Sequence, residues 1–213
     1  MSATDFRAIV VNEGKVNAIR EKIVDLYLNK KSRIQENDSY QRSYCFLKEY
    51  ANETKKGIFN ASPNDQYCYA RLVVLAHAIY GWMPTILEIG NSDQVGQLNI
   101  VKAIRKINTG LISDYSNFIE EIRILARFTN NSFVGLSKLL HFLFPENYAI
   151  WDNNIRSVLG VGTPTNDVNK FVVYQKAMND ALIICKDRQG TSLRKIEEHL
   201  FYLGRNNGKS KKQ

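Results

Sequence analysis

An all-α fold is what the sequence predicts, because apolar residues recur at helical spacing along most of the chain and no stretch alternates convincingly with period two. Residues that cap helix N-termini precede many of these apolar segments, and glycine or proline follows several of them. We expect about nine helices and few strands or none. With 213 residues, the chain is long enough to bury a sizeable core.

The predicted helices follow from apolar periodicity, and most have a recognisable start. They are expected over about residues 14–31, 39–51, 63–83, 93–108, 114–129, 136–143, 153–160, 167–186 and 191–204. The predicted N-caps carry short polar side chains: Ser62, Ser92, Ser113, Asp152, Asn166 or Asp167, and Thr191. Pro84 is expected to end the third helix, and Gly160 and Gly204 to end two later ones.

Two of these helices are easily assigned a place in the fold. Val16, Ile19 and Ile23 give the first helix an apolar face opposite basic residues, whereas the third is mostly apolar and is expected to be central. Residues 1–205 are predicted to form one helical domain. The basic residues 206–213 are predicted to be a flexible tail.

The chain is strongly basic. Lys and Arg number 29 against 21 acidic residues, which gives a formal net charge of +8 and a pI near 9.3. Such an excess favours a polyanionic partner, with DNA or RNA first and an acidic membrane surface second. Composition alone does not separate such a protein from one that is merely kept soluble by its charge.

The cysteines do not indicate a metal site or a cofactor. Cys45, Cys68 and Cys185 are far apart, and neither a CxxC pair nor a histidine at ligand spacing accompanies them. We therefore expect no metal, no cofactor and reduced thiols. No signal peptide is recognisable at the N-terminus, and the longest apolar run is too short to span a bilayer. We expect a cytoplasmic protein without a membrane partner, nucleoid-associated if bacterial.

The segment GLSKLLHFLFPENYAIWDNNIRSVL, residues 135–159, carries the candidate chemistry. Leu136, Leu139, Leu140 and Leu143 share one face of a helix predicted to begin near Leu136. At 100° per residue, the side chains of Ser137, Lys138 and His141 project from the other side.

The start of this helix is a candidate phosphate site. The turn reads NNSFVG, so Ser132, Val134 and Gly135 would offer backbone groups at the helix N-terminus, where the dipole favours an anion. Gly135 would allow close approach because it has no Cβ. The alternative, which is stronger for the hairpin alone, is an ordinary turn between two helices.

Asp152 follows the apolar strip YAIW and immediately precedes the N-terminus of the next predicted helix. Aspartate is a favoured N-cap, so a structural role is one interpretation. A cap hydrogen bond would also hold the carboxylate rigidly, and its charge could then face a positive centre developing in a substrate. The two roles are compatible.

The glycine and serine, the apolar helix and YAIWDNNIRSVL together resemble the active-site segment of the helix-hairpin-helix DNA glycosylase superfamily, often called HhH-GPD. The resemblance covers about residues 113–160. The hairpin departs from the family pattern, since it reads NSFVG where the family has LPGxG. The turn before the aspartate is also shorter, and the C-terminal cysteines that some branches use for an iron–sulfur cluster are missing.

The resemblance implies an enzyme that flips a damaged or modified nucleotide out of duplex DNA into a cleft between two helical lobes. One lobe would combine the N-terminal helix with the C-terminal helices, and the middle helices would form the other. Asp152 would stabilise the positively charged sugar or activate water. Bifunctional members also use a lysine at the start of the second hairpin helix. Aligned on Gly135, Ser137 takes that position and Lys138 follows it.

We therefore expect a monofunctional DNA glycosylase, acting as a monomer in base excision repair or in defence against modified foreign DNA. The candidate catalytic residues are Asp152, Ser137 and Lys138. The candidate base-pocket residues are Trp151, Tyr148, His141 and Tyr69. The candidate DNA contacts are Ser132, Val134, Gly135, Lys138, Arg127 and Arg156.

Two alternatives remain open at this point. One is a bifunctional glycosylase and lyase that attacks the sugar with Lys138. The other is a non-catalytic helix-hairpin-helix module, in which Asp152 is only a cap and Lys138 contacts phosphate. Paired carboxylates at metal-ligand spacing do not stand out near the hairpin, which disfavours a nuclease.

Overall fold

The computed structural model describes residues 11–31, 39–62, 65–81, 83, 86–89, 93–109, 118–161, 167–187 and 190–209. This part of the chain holds nine α-helices and no strand, which confirms the all-α prediction. The helices are α1 (Glu13–Asn29), α2 (Ser39–Asn60), α3 (Gln66–Tyr80), α4 (Gln94–Thr109), α5 (Ile119–Phe128), α6 (Phe133–Leu143), α7 (Asn153–Leu159), α8 (Val168–Cys185) and α9 (Leu193–Lys209).

Several helix starts follow the predicted capping chemistry. Asp152 caps α7 and Asp167 caps α8, and Gly160 ends α7 in the left-handed conformation with φ 67°. The predicted cap of α3 was wrong, because Asp65 rather than Ser62 accepts a hydrogen bond from the first turn, at 2.8 Å from the Tyr67 amide. Pro63, Pro84, Ser92 and Ser113 lie outside the described residues.

The boundaries of several helices differ from the predictions. Helix α2 continues to Asn60, and α6 begins at Phe133 rather than near Leu136, because Ser132 caps it. Helix α9 begins at Leu193 and passes through Gly204 to Lys209, so part of the predicted flexible tail is helical. Glycine is only moderately unfavourable inside a helix, and tertiary contacts override that preference.

Gly204 is required by the close approach of α7 to α9. A Cβ on this residue would lie 2.2 Å from the carbonyl oxygen of Asn154 and 2.6 Å from its carbonyl carbon. Both atoms belong to the backbone at the start of α7, so a side chain could not be accommodated by a change of rotamer. The glycine therefore sets the distance between the helix that follows Asp152 and the last helix.

Gly204→Ala should lower the free energy of unfolding by about 2 kcal/mol, because α7 must move to admit the methyl group. Gly14→Ala is the matched control. There the new Cβ would meet only Asn12 Oδ1 at 3.4 Å, so stability should be unchanged or slightly raised. Urea denaturation of the two variants measures the difference. Equal stabilities would show that the α7–α9 contact tolerates a side chain.

The helices make their largest contacts within two sets. Helix α1 packs against α8, α9 and α7, and α7 packs against α9. The second set comprises α2 to α6, where α2 packs against α3 and α6, and α4 packs against α5. One buried apolar cluster runs through both sets. The arrangement as two lobes around a DNA-binding cleft stays a prediction.

No helix in the described ranges is both long enough and apolar enough to cross a membrane.

Candidate active site

Helix α6 is buried on almost every side. Its leucines are buried as predicted, and Ser137 and His141, on the predicted polar side, are also 0% exposed. Lys138 is partly buried. The polar side of this helix therefore faces other elements of the protein, and its side chains must find partners there.

The strip between α6 and α7, residues 148–151, is held by side chains from two helices. His141 of α6 donates to Tyr148 O at 2.8 Å, and Ser137 of α6 accepts from Trp151 N at 2.9 Å. Two residues of α8 bind the middle of the strip. Gln175 pairs with both Ala149 N and O, and the Tyr174 hydroxyl donates to Ile150 O at 2.6 Å. These bonds fix the backbone that leads into Asp152.

Ser137 is therefore an anchor for this strip. Its hydroxyl donates to Val134 O at 2.8 Å and accepts from the Trp151 amide at 2.9 Å. A fully buried hydroxyl that makes both bonds is committed to structure. The sequence placed Ser137 among the catalytic candidates, and its bonds instead explain how α6 positions the residue before Asp152.

Asp152 caps α7 by accepting a hydrogen bond from the Ile155 amide at 2.9 Å. Burial raises the pKa of its carboxyl group, and the nearby charge of Glu197 adds to that rise. The Ile155 amide and the charge of Lys138 act in the opposite direction. Asp152 is thus a rigidly held carboxylate in electrostatic contact with a cation and with a second carboxylate.

The charge of Lys138 lowers the pKa of both carboxylates. Burial lowers the pKa of its amine, whereas the charges of Asp152 and Glu197 raise it. Within the described ranges, the amine makes no hydrogen bond and no salt bridge. A partly buried lysine without a fixed partner is available for chemistry, because desolvation favours the neutral nucleophilic form.

Glu197 of α9 is the site residue that sequence analysis missed. Its side chain is 2% exposed, and its Oε1 lies 2.6 Å from Arg194 Nη1. The missed signal was its spacing, since Glu197 stands in the apolar stripe formed by Leu193, Ile196 and Leu200, all of them buried. A charged residue in such a stripe is rarely fully buried unless it is paired.

His141 is a hydrogen-bonded structural residue beside Glu197. Its Nδ1–H donates to Tyr148 O at 2.8 Å, which leaves Nε2 to accept from the Tyr44 hydroxyl at 2.8 Å. Burial lowers the pKa of His141 to about 3, with Arg194 as the next cause. The ring is therefore neutral at physiological pH and links α2 to α6.

This neutral histidine should make stability depend on pH. The unfolded chain, with a histidine pKa near 6.5, binds a proton that the folded protein does not, so stability should fall as pH drops from about 6.5 towards 3. At pH 5 the loss from His141 should be about 2 kcal/mol relative to pH 7. The raised pKa values of Asp152 and Glu197 act in the opposite direction.

A comparison of variants isolates the histidine. His141→Gln should remove the contribution of His141 to the difference in unfolding free energy between pH 7 and pH 5. His77→Gln, which replaces an exposed histidine, should leave that difference unchanged. Urea denaturation at both pH values measures it. An unchanged difference in His141→Gln would mean that the ring is not held neutral.

The predicted base-pocket aromatics fall in different places. Trp151 is 1% exposed and stacks on Tyr174, with ring centroids 5.5 Å apart and an interplanar angle of 16°. Trp151 also lines a cavity of 480 Å³ bounded by α1 and α8. Tyr148 is buried, and its ring packs against Phe144. Tyr69 lies apart, on α3 against Phe128, with ring centroids 6.1 Å apart.

The start of α6 differs from the predicted phosphate site. Gly135 is buried inside the helix, its amide donates to Ser132 Oγ at 3.1 Å, and a Cβ there would lie 2.2 Å from the Tyr80 hydroxyl. Because Gly135 has no side chain, the space beside it is occupied by Tyr80 and not by a ligand. Ser132 is the N-cap, and Val134 O is bonded to Ser137.

Of the two predicted arginine contacts, only Arg127 is exposed. Arg127 lines a pocket of 290 Å³ together with Arg123 and Asn131, beside the first turn of α6. Arg156 is 9% exposed, and its guanidinium donates to Asn153 Oδ1 at 2.6 Å. Its local role is therefore to support the first turn of α7.

No known protein family model, curated protein sequence or solved structure matches the chain. Among the described residues, no group of three or more His, Cys, Asp and Glu side chains is arranged to hold a metal ion. The residues with candidate chemistry are therefore those of one cluster: Lys138, Asp152 and Glu197.

Proposed function

We propose that the chain is a DNA N-glycosylase that excises a damaged or modified base from duplex DNA. The observation that carries the proposal is the electrostatic coupling of Lys138, whose amine has no hydrogen bond or salt bridge among the described residues, to two carboxylates, the partly buried Asp152 and the buried Glu197. They come from α6, from the start of α7 and from α9. Lys138 forms no salt bridge with either carboxylate in the described part of the chain, so its amine is not committed to a structural ion pair.

Breaking a glycosidic bond develops positive charge on the sugar, and a preorganised carboxylate stabilises that charge. Asp152 suits this role because the Ile155 amide fixes its carboxylate at the end of a backbone strip that is bonded throughout. The target base would be flipped out of the duplex, since its glycosidic bond is otherwise out of reach.

The contacts favour Lys138, rather than water, as the group that attacks the sugar. The sequence register favoured a monofunctional enzyme because it aligned Ser137 with the family's lysine. Ser137 is occupied by Val134 O and Trp151 N, and Gly135, on which the register was based, lies inside α6. Lys138 has the lowered pKa that an attacking amine needs. We therefore favour the bifunctional glycosylase and lyase.

DNA would be held mainly through phosphates. The formal charge of +8 and the exposed Arg127 and Arg123 beside α6 support backbone contacts without sequence reading. The affinity for a 20-base-pair duplex should then fall at least tenfold between about 50 and 200 mM salt, because neutralised phosphates release counterions. Fluorescence anisotropy over a salt series measures this. An affinity that does not change with salt would rule out phosphate-dominated binding.

The experiment that tests the activity is a panel of duplexes, each with one modified base. The panel should include oxidised and alkylated bases, which indicate repair, and the modified bases of foreign DNA, which indicate defence. We expect base release with strand cleavage at the same position from at least one duplex, and neither from the unmodified duplex. Tight binding without base release on every duplex would instead support a non-catalytic DNA-binding module.

A further inference from the structure

Gln175 of α8 is a fully buried amide that bonds both polar backbone atoms of Ala149. Its Oε1 accepts from Ala149 N at 2.9 Å, and its Nε2 donates to Ala149 O at 2.8 Å. The residue is 0% exposed. An amide carries both a donor and an acceptor, so Gln175 pairs with Ala149 in the way that a residue of a neighbouring strand would.

The strip of residues 148–151 depends on side chains for its hydrogen bonds. The described ranges contain helices and no strand, so a strand does not lie beside it there. Each of residues 149–151 is bonded to a buried side chain of α6, α8 or α9. These three residues directly precede Asp152, so the backbone that leads to its carboxylate is fixed at every step.

Gln175 binds the strip twice, whereas Ser137, Tyr174 and Glu197 each bind one of its backbone atoms. A single hydrogen bond allows the bonded peptide to rotate about it. Two bonds to the same residue fix both the position and the tilt of that residue. An apolar side chain in place of Gln175 would leave a buried N–H and a buried C=O unpaired, so the strip would have to shift to satisfy them.

We infer that Gln175 is a positioning residue for Asp152, because its amide fixes the strip and the strip sets where the Asp152 carboxylate lies. The inference rests on the proposed glycosylase function, in which this carboxylate stabilises the positive sugar. Displacing a catalytic group by about 1 Å can slow a reaction about a hundredfold. Loosening the strip should therefore lower the rate of base release without lowering the affinity for DNA.

The test is single-turnover base release by the whole protein on the duplex that the wild type cleaves. Gln175→Met keeps much of the side-chain volume and removes both bonds. Base release should slow about tenfold or more, while the Kd for the duplex stays within about twofold of the wild-type value. A wild-type rate in Gln175→Met would overturn the inference.

Asn179→Leu is the matched control. Asn179 lies one turn further along α8, and its side-chain amide donates to Asn147 O at 3.1 Å, outside the strip. The substitution removes the same kind of bond from the same helix. It should leave base release within about twofold of the wild-type rate, since it does not touch the strip.

Combination with Asp152→Asn distinguishes positioning from a general loss of packing. If Gln175 acts through the Asp152 carboxylate, Gln175→Met should slow base release by less than about twofold once that carboxylate has been replaced. A general loss of packing would slow both backgrounds by the same factor. Equal factors in the two backgrounds would therefore contradict the inference.

Gln175→Glu provides a readout if the methionine variant does not fold. A protonated glutamate has one donor and one acceptor and can bond both atoms of Ala149, as the amide does. Burial favours this protonated form. At about pH 6 the glutamate variant should release base within about threefold of the wild-type rate. A folded glutamate variant that is tenfold slower at every pH would exclude positioning by these bonds.

Hydrogen exchange without DNA separates this inference from the proposed function. The Ile155 amide donates to Asp152 Oδ1 at 2.9 Å, so its exchange rate reports how firmly the carboxylate is held. In Gln175→Met this amide should exchange about fivefold faster or more, relative to the Leu125 amide of α5. An unchanged ratio refutes the positioning. Faster exchange in a protein that releases no base from any duplex supports the positioning and refutes the glycosylase.

Discussion

Replacing Asp152 with asparagine should slow base release about a hundredfold or more, because in the proposed glycosylase it removes a preorganised charge that would face the developing cation of the sugar. Asparagine keeps the ability to cap α7, so the fold should be retained. Because the substitution removes a negative charge, it should not weaken DNA binding. Single-turnover base release and fluorescence anisotropy on the same duplex measure both effects.

Asp167→Asn is the matched control for this change. Asp167 caps α8 by accepting from the Asn169 amide at 2.9 Å, so the substitution is identical in chemistry and in local role. It should leave base release within about twofold of the wild type, since it changes no group of the cluster. Equal rates for Asp152→Asn and the wild type would mean that Asp152 is only a cap.

Lys138→Met should reduce base release by roughly a thousandfold or more and abolish strand cleavage, because it removes the proposed nucleophile and keeps much of the side-chain volume. Loss of one positive charge should weaken DNA binding only slightly. Denaturing gel electrophoresis separates intact, abasic and cleaved strands and so measures both products.

Lys102→Met controls for the loss of charge. Lys102 is exposed on α4, so this variant has the same net charge as Lys138→Met without a change in the cluster. It should cleave the strand at the wild-type rate. If Lys138→Met retained base release but bound DNA weakly, Lys138 would be a phosphate contact, as the sequence register suggested.

The helical fold was predictable because its signals are local. Apolar spacing located the helices, and the side-chain chemistry of Asp152 and Asp167 located two of the helix starts. The neighbourhood of Lys138 and Asp152 was also predictable, since a short turn and strip join α6 to α7. Such signals depend on residues a few positions apart, which a single sequence displays directly.

The rest of the site depends on contacts between distant segments. Glu197 reaches the cluster only because α9 packs against α7, and that contact depends on Gly204, which the sequence suggested as a helix end. Periodicity placed Ser137 on the polar side of α6. It could not show that this side is buried and that its hydroxyl binds the backbone before Asp152. Tertiary contacts decided both roles.

The most direct measurement is borohydride trapping on a duplex with a preformed abasic site, which requires no knowledge of the excised base. An amine that attacks C1′ forms a Schiff base, and borohydride reduces it to a stable covalent complex. We expect a trapped complex whose peptide map places the sugar on Lys138, and which is lost in Lys138→Met but not in Lys102→Met. Trapping that persists in Lys138→Met, or no trapping from a protein that releases a base, would contradict attack by Lys138.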